Sequence, residues 1–142
     1  LLFTTIFLRT SLYYICKACF FILFSGGEFM SVEIRAHGET VTAYLSGELD
    51  HHTARAMREA IDNAVELNMP SRLVLNFKNI SFMDSSGIGL VMGRYRLLKS
   101  INPSSQIEIK NVTLQTKKIM ELAGLSSIAK IKETENEYKK AN

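Results

Sequence analysis

Two serines follow an aspartate at residues 84–86 and are themselves followed by Gly87, within the stretch Phe82-Met83-Asp84-Ser85-Ser86-Gly87-Ile88-Gly89. Hydroxyls of this kind do one of three things: attack as nucleophiles, cap a helix, or accept a phosphate. Nucleophilic catalysis would need a base, and the chain offers only His37, His51 and His52. A serine elbow of the Gly-x-Ser-x-Gly type is absent, because Met83 stands where its first glycine belongs. No orienting carboxylate is marked out either, so the chain does not read as an enzyme and no residue is assigned as catalytic.

Other chemistries fail for comparable reasons. Asp50-His51-His52 holds metal-ligand types, but adjacent histidines in a loop diverge and no third spaced ligand is evident. Gly87 and Gly89 form a Gly-x-Gly pair without the Lys-Ser/Thr of a phosphate-binding loop. Cys16 and Cys19 are the only cysteines, so neither a disulfide framework nor a Cys/His metal cluster is present. Arg94, Arg96 and Lys99 read as a solvated basic face of a helix. The net charge of +3 is small and no basic run is interleaved with aromatics, which argues against nucleic acid as a direct partner.

Phosphate acceptance fits the turn better than any of these chemistries, with helix capping the more favoured account from chemistry alone. A hydroxyl at a helix start is exposed, and backbone N–H groups with the helix dipole tolerate negative charge there. The modification would add about −1.5 to −2 charge beside Asp84 and so block a docking partner by repulsion and desolvation. Gly87, Gly89 and Gly93 cost helix propensity, roughly 1 kcal/mol each, but let another chain approach the backbone. The alternative is that Ser85 only caps the helix and the glycines let it pack tightly on its own sheet.

The elements that position this turn follow from periodicity. Val32, Ile34 and Ala36, then Val41, Ala43 and Leu45, alternate with polar residues around His37-Gly38-Glu39 and predict a hairpin. Residues 46–52 read as an exit loop, with Thr53 the cap of a helix running to about Asn68 and ended by Pro70. Its apolar face is Met57, Ala60, Ile61, Ala64 and Val65, with Arg55, Arg58, Glu59, Asp62 and Glu66 toward water. Leu73-Val74-Leu75 suits a strand buried on both faces. Lys78-Asn79 reads as a break before residues 80–83 lead into the turn.

Ile88, Val91, Met92, Tyr95 and Leu98 mark the inner face of the next helix, to about Ser100. Ile107 and Ile109 predict a strand, residues 113–123 a helix stopped by Gly124, and residues 128–131 a last strand. Residues 134–142 are polar and read as a frayed short helix or a tail. The order β-β-α-β-α-β-α-β implies an α/β fold, a mixed sheet with helices packed over it.

Residues 1–24 are of another kind, apolar with only Arg9 and Lys17 charged. Spanning a bilayer would bury Lys17, at about 2.5 to 3.5 kcal/mol, and no small-residue cleavage site marks a secretory signal. The first methionine is Met30, and Gly26-Gly27-Glu28 can be encoded by a purine-rich run of the type bound by bacterial ribosomes before a start codon. Residues 1–29 are therefore expected to be an apolar extension outside the natural protein, with a membrane anchor and an ordered helical extension as the alternatives, and with 30–133 the domain and 134–142 a polar tail.

The blocks Gly47-Glu48-Leu49-Asp50-His51-His52-Thr53-Ala54, Leu75-Asn76 and Ser81 through Gly89, running on to Gly93-Arg94-Tyr95, resemble the anti-sigma factor antagonists of spore-forming bacteria, which are single STAS domains. The match is close to the antagonists of the anti-sigma F factor. The resemblance implies a cytoplasmic, non-enzymatic regulator acting by partner switching. Its partner would be an anti-sigma factor that is also an ATP-dependent serine kinase; the kinase, not this chain, holds ADP or ATP, and this chain needs no cofactor. That kinase would phosphorylate Ser85 and a serine phosphatase would restore it. Gly47, Glu48 and Asp50 would join Asp84, Ser86, Gly87, Gly89 and Gly93 in the partner surface, with Asp50 a candidate to pair with a kinase arginine. A STAS module relaying a signal in a stress or membrane assembly, without a sigma factor, is the second reading.

Overall fold

The computed structural model describes residues 32–134; the expectations for the apolar extension, the Cys16/Cys19 pair and the C-terminal tail lie outside them. Strands β1 (Val32–His37) and β2 (Thr40–Leu49) form the expected hairpin, pairing from Val32 opposite Leu45 to His37 opposite Thr40. Helix α1 (His51–Asn68), strand β3 (Arg72–Met83), helix α2 (Ser85–Ile101), strand β4 (Gln106–Val112), helix α3 (Leu114–Leu122) and strand β5 (Ala129–Glu133) follow. A short 3-10 turn, Leu125–Ser127, precedes β5 and was not apparent from periodicity.

The sheet order is β1-β2-β3-β4-β5, antiparallel at the hairpin and parallel thereafter. All three crossovers step in the same direction, so right-handed connections place all three helices on one face. Toward them point Val41, Ala43 and Leu45 of β2, Leu73, Leu75 and Phe77 of β3, and Ile107 and Ile109 of β4, all buried. Met57, Ile61, Leu90, Val91 and Leu98 meet them from the helices. Each such side chain contributes roughly 1.5–3 kcal/mol, and Leu75→Ala at the centre would cost about 2–5 kcal/mol. As expected, Leu73-Val74-Leu75 is buried on both faces.

Three expectations are corrected. Residues 46–49 are not a loop: β2 continues to Leu49 by pairing with β3 through two register shifts, between Tyr44 and Ser46 and between Gly47 and Glu48. The same pairing carries β3 unbroken through Lys78-Asn79 to Met83, because ladder hydrogen bonds to β2 outweigh the polar side chains there. Thr53 is not the cap of α1. Asp50 is, accepting from the amides of His52 and Thr53 at 2.9 Å each, while the Asp50 amide donates back to Thr53 Oγ1 at 3.1 Å.

A fourth correction concerns the helix faces. In α2 the buried stripe is Gly87, Leu90, Val91, Arg94 and Leu98, with Ile88, Met92 and Tyr95 partly buried at its flanks. Arg94 is thus not part of a solvated basic face, and Asp62 does not simply face water. Arg94 Nη2 donates to Asp62 Oδ2 at 2.9 Å across the α1–α2 contact, with Nε 2.5 Å from Oδ1. Burial raises the Asp62 carboxyl against the pull of Arg94 and lowers the Arg94 guanidinium, so desolvation opposes much of the pair's attraction.

Candidate functional site

β3 pairs with β4 only from Arg72 to Asn76, whereas its pairing with β2 runs on to Met83. A two-stranded ribbon therefore projects beyond the rest of the sheet, and both its strands turn into helices at its tip. Leu49 pairs with Met83 as the last register position, Asp50 caps α1 and Asp84 caps α2. The two turns are joined by the Asp84 amide, which donates to the Leu49 carbonyl at 3.3 Å. The C-terminal ends of parallel strands, with helix N-termini beside them, are where α/β folds assemble binding sites.

Within the second turn the hydroxyls are sorted by position. Asp84 is the N-cap, its Oδ1 accepting from the Ser86 amide at 2.7 Å. Ser85 is the first helical residue, exposed, and its hydroxyl has no hydrogen-bond partner among the described residues. Ser85 is accordingly not the cap, which removes the bland account of its hydroxyl. Ser86 is half-buried and contributes its amide to the turn.

The glycines divide into two kinds. Gly87 is buried, and a Cβ there would run into the Met83 side chain and lie 3.0 Å from Leu49 Cδ2, so its missing side chain lets α2 seat on its own strands. Gly89 and Gly93 have open space where a Cβ would stand. Gly89 is exposed and Gly93 half-exposed, so these two leave the outer side of the first turns flat. Gly47 sits at the second register shift with φ +88°, a conformation in which a side chain is strained. Its carbonyl accepts from the Ser81 hydroxyl at 3.3 Å, which pins the ribbon.

Gly47 and Glu48 are exposed on the ribbon itself, while Asp50 is partly committed. Asp50 Oδ1 takes the His52 and Thr53 amides, and hydrogen bonds from Thr53 hold the carboxyl below the ordinary aspartate range. Thr53 Oγ1 in turn donates to the Glu48 carbonyl at 2.5 Å. His51 and His52 lie on the first exposed turn of α1, their rings 5.9 Å apart and 65° from coplanar. No group of three or more His, Cys, Asp or Glu that could hold a metal exists among the described residues.

One residue at this tip escaped the sequence reading as a feature of its own. Phe82 pairs with Glu48 and is 54% exposed, three residues before Ser85. Strand alternation could have found it: Met83 packs against the core, so its neighbour must point the other way.

A family model described as the STAS domain matches residues 31–138. The chain belongs to the STAS domain family. This STAS domain is 33% identical over 106 residues to the anti-sigma F factor antagonist of Paenibacillus polymyxa, covering 75% of this chain and 89% of that protein. Among solved structures it resembles the anti-sigma factor antagonist SpoIIAA in its unphosphorylated form, with 32% identity and a TM-score of 0.62 over 76% of this chain and 92% of that one. The phosphorylated form of SpoIIAA, a Bacillus cell fate determinant, aligns at 33% identity with a TM-score of 0.57, over 77% of this chain and 96% of that one. The expected family and fold both stand: a five-stranded mixed sheet with three helices in the expected order. No helix among the described residues is long and apolar enough to cross a membrane.

Proposed function

We propose that this STAS domain is an anti-sigma factor antagonist that works by partner switching in the cytoplasm. In its unphosphorylated form it binds an anti-sigma factor with serine kinase activity and releases the sigma factor; phosphorylation of Ser85 ends the interaction, and a serine phosphatase restores it. The observation that carries the reading is the Ser85 hydroxyl, exposed and unbonded among the described residues, at the first position of α2. The relatives named as anti-sigma factor antagonists, and a solved neighbour known in both phosphorylated and unphosphorylated forms, support it.

The chain is a substrate here, not an enzyme. Ser85 Oγ forms a bond to the γ-phosphorus of ATP held by the kinase, the bond from that phosphorus to the bridging oxygen breaks, and ADP leaves. The serine proton passes to a base of the kinase. The product carries about −1.5 to −2 charge at pH 7 next to the Asp84 carboxylate. The first-turn amides of α2 stabilise that charge within the domain, so the fold tolerates the change while the docking surface does not. Glu48, Asp50, Gly89, Gly93 and the exposed Phe82 complete the surface around it.

The test is intact-mass measurement after incubation with the cognate kinase and ATP. One added phosphate, absent from Ser85→Ala and retained in Ser86→Ala, is expected. A native chain that gains no phosphate overturns the reading.

A further inference from the structure

Among the described residues no helix covers the face of the sheet opposite α1, α2 and α3, and the β3–β5 part of that face is cationic. Register places Arg72 beside Gln106, Glu108 beside Lys130, and Lys110 and Lys132 one alternation further along the same face. Strands β3, β4 and β5 border a cleft of about 130 Å³, lined by Arg72, Gln106, Ile107, Glu108, Lys130 and Lys132. Three of the six are cations and one is a carboxylate.

That carboxylate is already used. Glu108 is 7% exposed, its Oε1 lying 2.6 Å from Lys132 Nζ and 3.9 Å from Lys110 Nζ. The close ion pair with Lys132 holds its carboxyl below the ordinary glutamate range, and the ionised carboxylate anchors the lysines. Next to the cleft, Glu39 accepts from the Ser71 hydroxyl at 2.9 Å. Arg72 and Lys130, both exposed, have no carboxylate within ion-pair distance among the described residues.

We infer that this cleft is a site for a small phosphate-bearing anion, held by Arg72 and Lys130 with Gln106 beside them. A guanidinium fork matches two phosphate oxygens, an ammonium supplies a point charge, and an amide supplies N–H donors. A volume far below the roughly 300–1,000 Å³ of whole-ligand pockets admits one phosphate group and not a nucleotide base. The site lies on the face opposite the helix that carries Ser85 and is independent of the partner-switching reading.

The probe is inorganic phosphate, titrated into isotope-labelled protein in chloride buffer at constant ionic strength and followed by amide NMR shifts. Saturable shifts centred on Arg72, Gln106 and Lys130 are expected, with Arg72→Gln and Lys130→Gln each weakening binding about tenfold or more. Lys118→Gln, an exposed cation on α3, is expected to leave it unchanged. Glycerol 3-phosphate and vesicles containing phosphatidate then separate the two sources of the group: shifts with the soluble ester assign a metabolite, and sedimentation with vesicles that Arg72→Gln abolishes assigns a lipid headgroup. Absence of saturation up to about 10 mM, shifts centred elsewhere, or equal weakening by Lys118→Gln overturns the inference.

Discussion

The Asp84 amide donates to the Leu49 carbonyl at 3.3 Å, one bond that ties the start of α2 to the end of β2. Because Leu49 immediately precedes the α1 cap and Asp84 is the α2 cap, the two helix starts are held side by side at the tip of the β2–β3 ribbon. Ser85, Glu48 and Phe82 are thereby gathered at the tip of one ribbon although they come from two strands and a helix.

If charge at Ser85 is the switch, a single carboxylate there should mimic part of it. Ser85→Asp is expected to weaken kinase binding about tenfold or more, while Ser85→Ala binds as the native chain does. Isothermal titration calorimetry with the nucleotide-loaded kinase measures both. Equal affinities for the two variants would remove charge as the mechanism.

Phe82 should behave as an aromatic anchor. Phe82→Ala is expected to cost about 2 kcal/mol or more in partner binding, yet to move unfolding stability by no more than about 0.5 kcal/mol, since the ring is exposed. Denaturant melts alongside the binding assay separate the two effects, and a large stability loss with intact binding would contradict this role.

The glycines should part company. Gly87→Ala must displace Met83 and is expected to destabilise by about 1–3 kcal/mol. Gly89→Ala adds a methyl in open space and is expected to stabilise by roughly 0.5–1 kcal/mol while reducing affinity for the partner. Chemical denaturation of the two variants gives the opposite signs, or shows that both glycines serve the fold.

The Asp62–Arg94 pair should be asymmetric. The Arg94 side chain is 8% exposed and that of Asp62 30%, so removing the acid strands a buried cation while removing the base leaves a carboxylate that water can reach. Asp62→Leu is expected to cost about 2–4 kcal/mol, Arg94→Leu about 1–2 kcal/mol, and the double variant less than their sum. Additive losses across this double-mutant cycle would mean that the two side chains act independently.

Acid stability should report the α1 cap. Hydrogen bonds from Thr53 depress the folded-state pKa of Asp50 below its unfolded value of about 4. Its contribution is therefore complete above that unfolded value and is lost as pH falls through the depressed one. Asp50→Asn keeps an acceptor at the cap and is expected to lose less stability between pH 7 and pH 3 than the native chain does. Parallel thermal melts with the same pH slope would show that the charge at this cap is immaterial.

The sequence by itself determined the order of the elements and the location of the turn that carries Ser85. Period-two alternation in the hairpin, the Leu73-Val74-Leu75 run and the Asp-Ser-Ser-Gly turn are local signals, and local sterics and capping suffice to read them. Only the tertiary structure decided that residues 46–49 are strand and that β3 does not break at Lys78-Asn79, because the energy comes from a ladder between segments more than thirty positions apart. The rotation of α2 was settled the same way. Its glycines blur the helical period, and the ion pair that draws Arg94 inward is made with Asp62, 32 residues away. Gly87 and Gly89 look alike in the sequence; what lies above each, Met83 or open space, is a property of the packed fold.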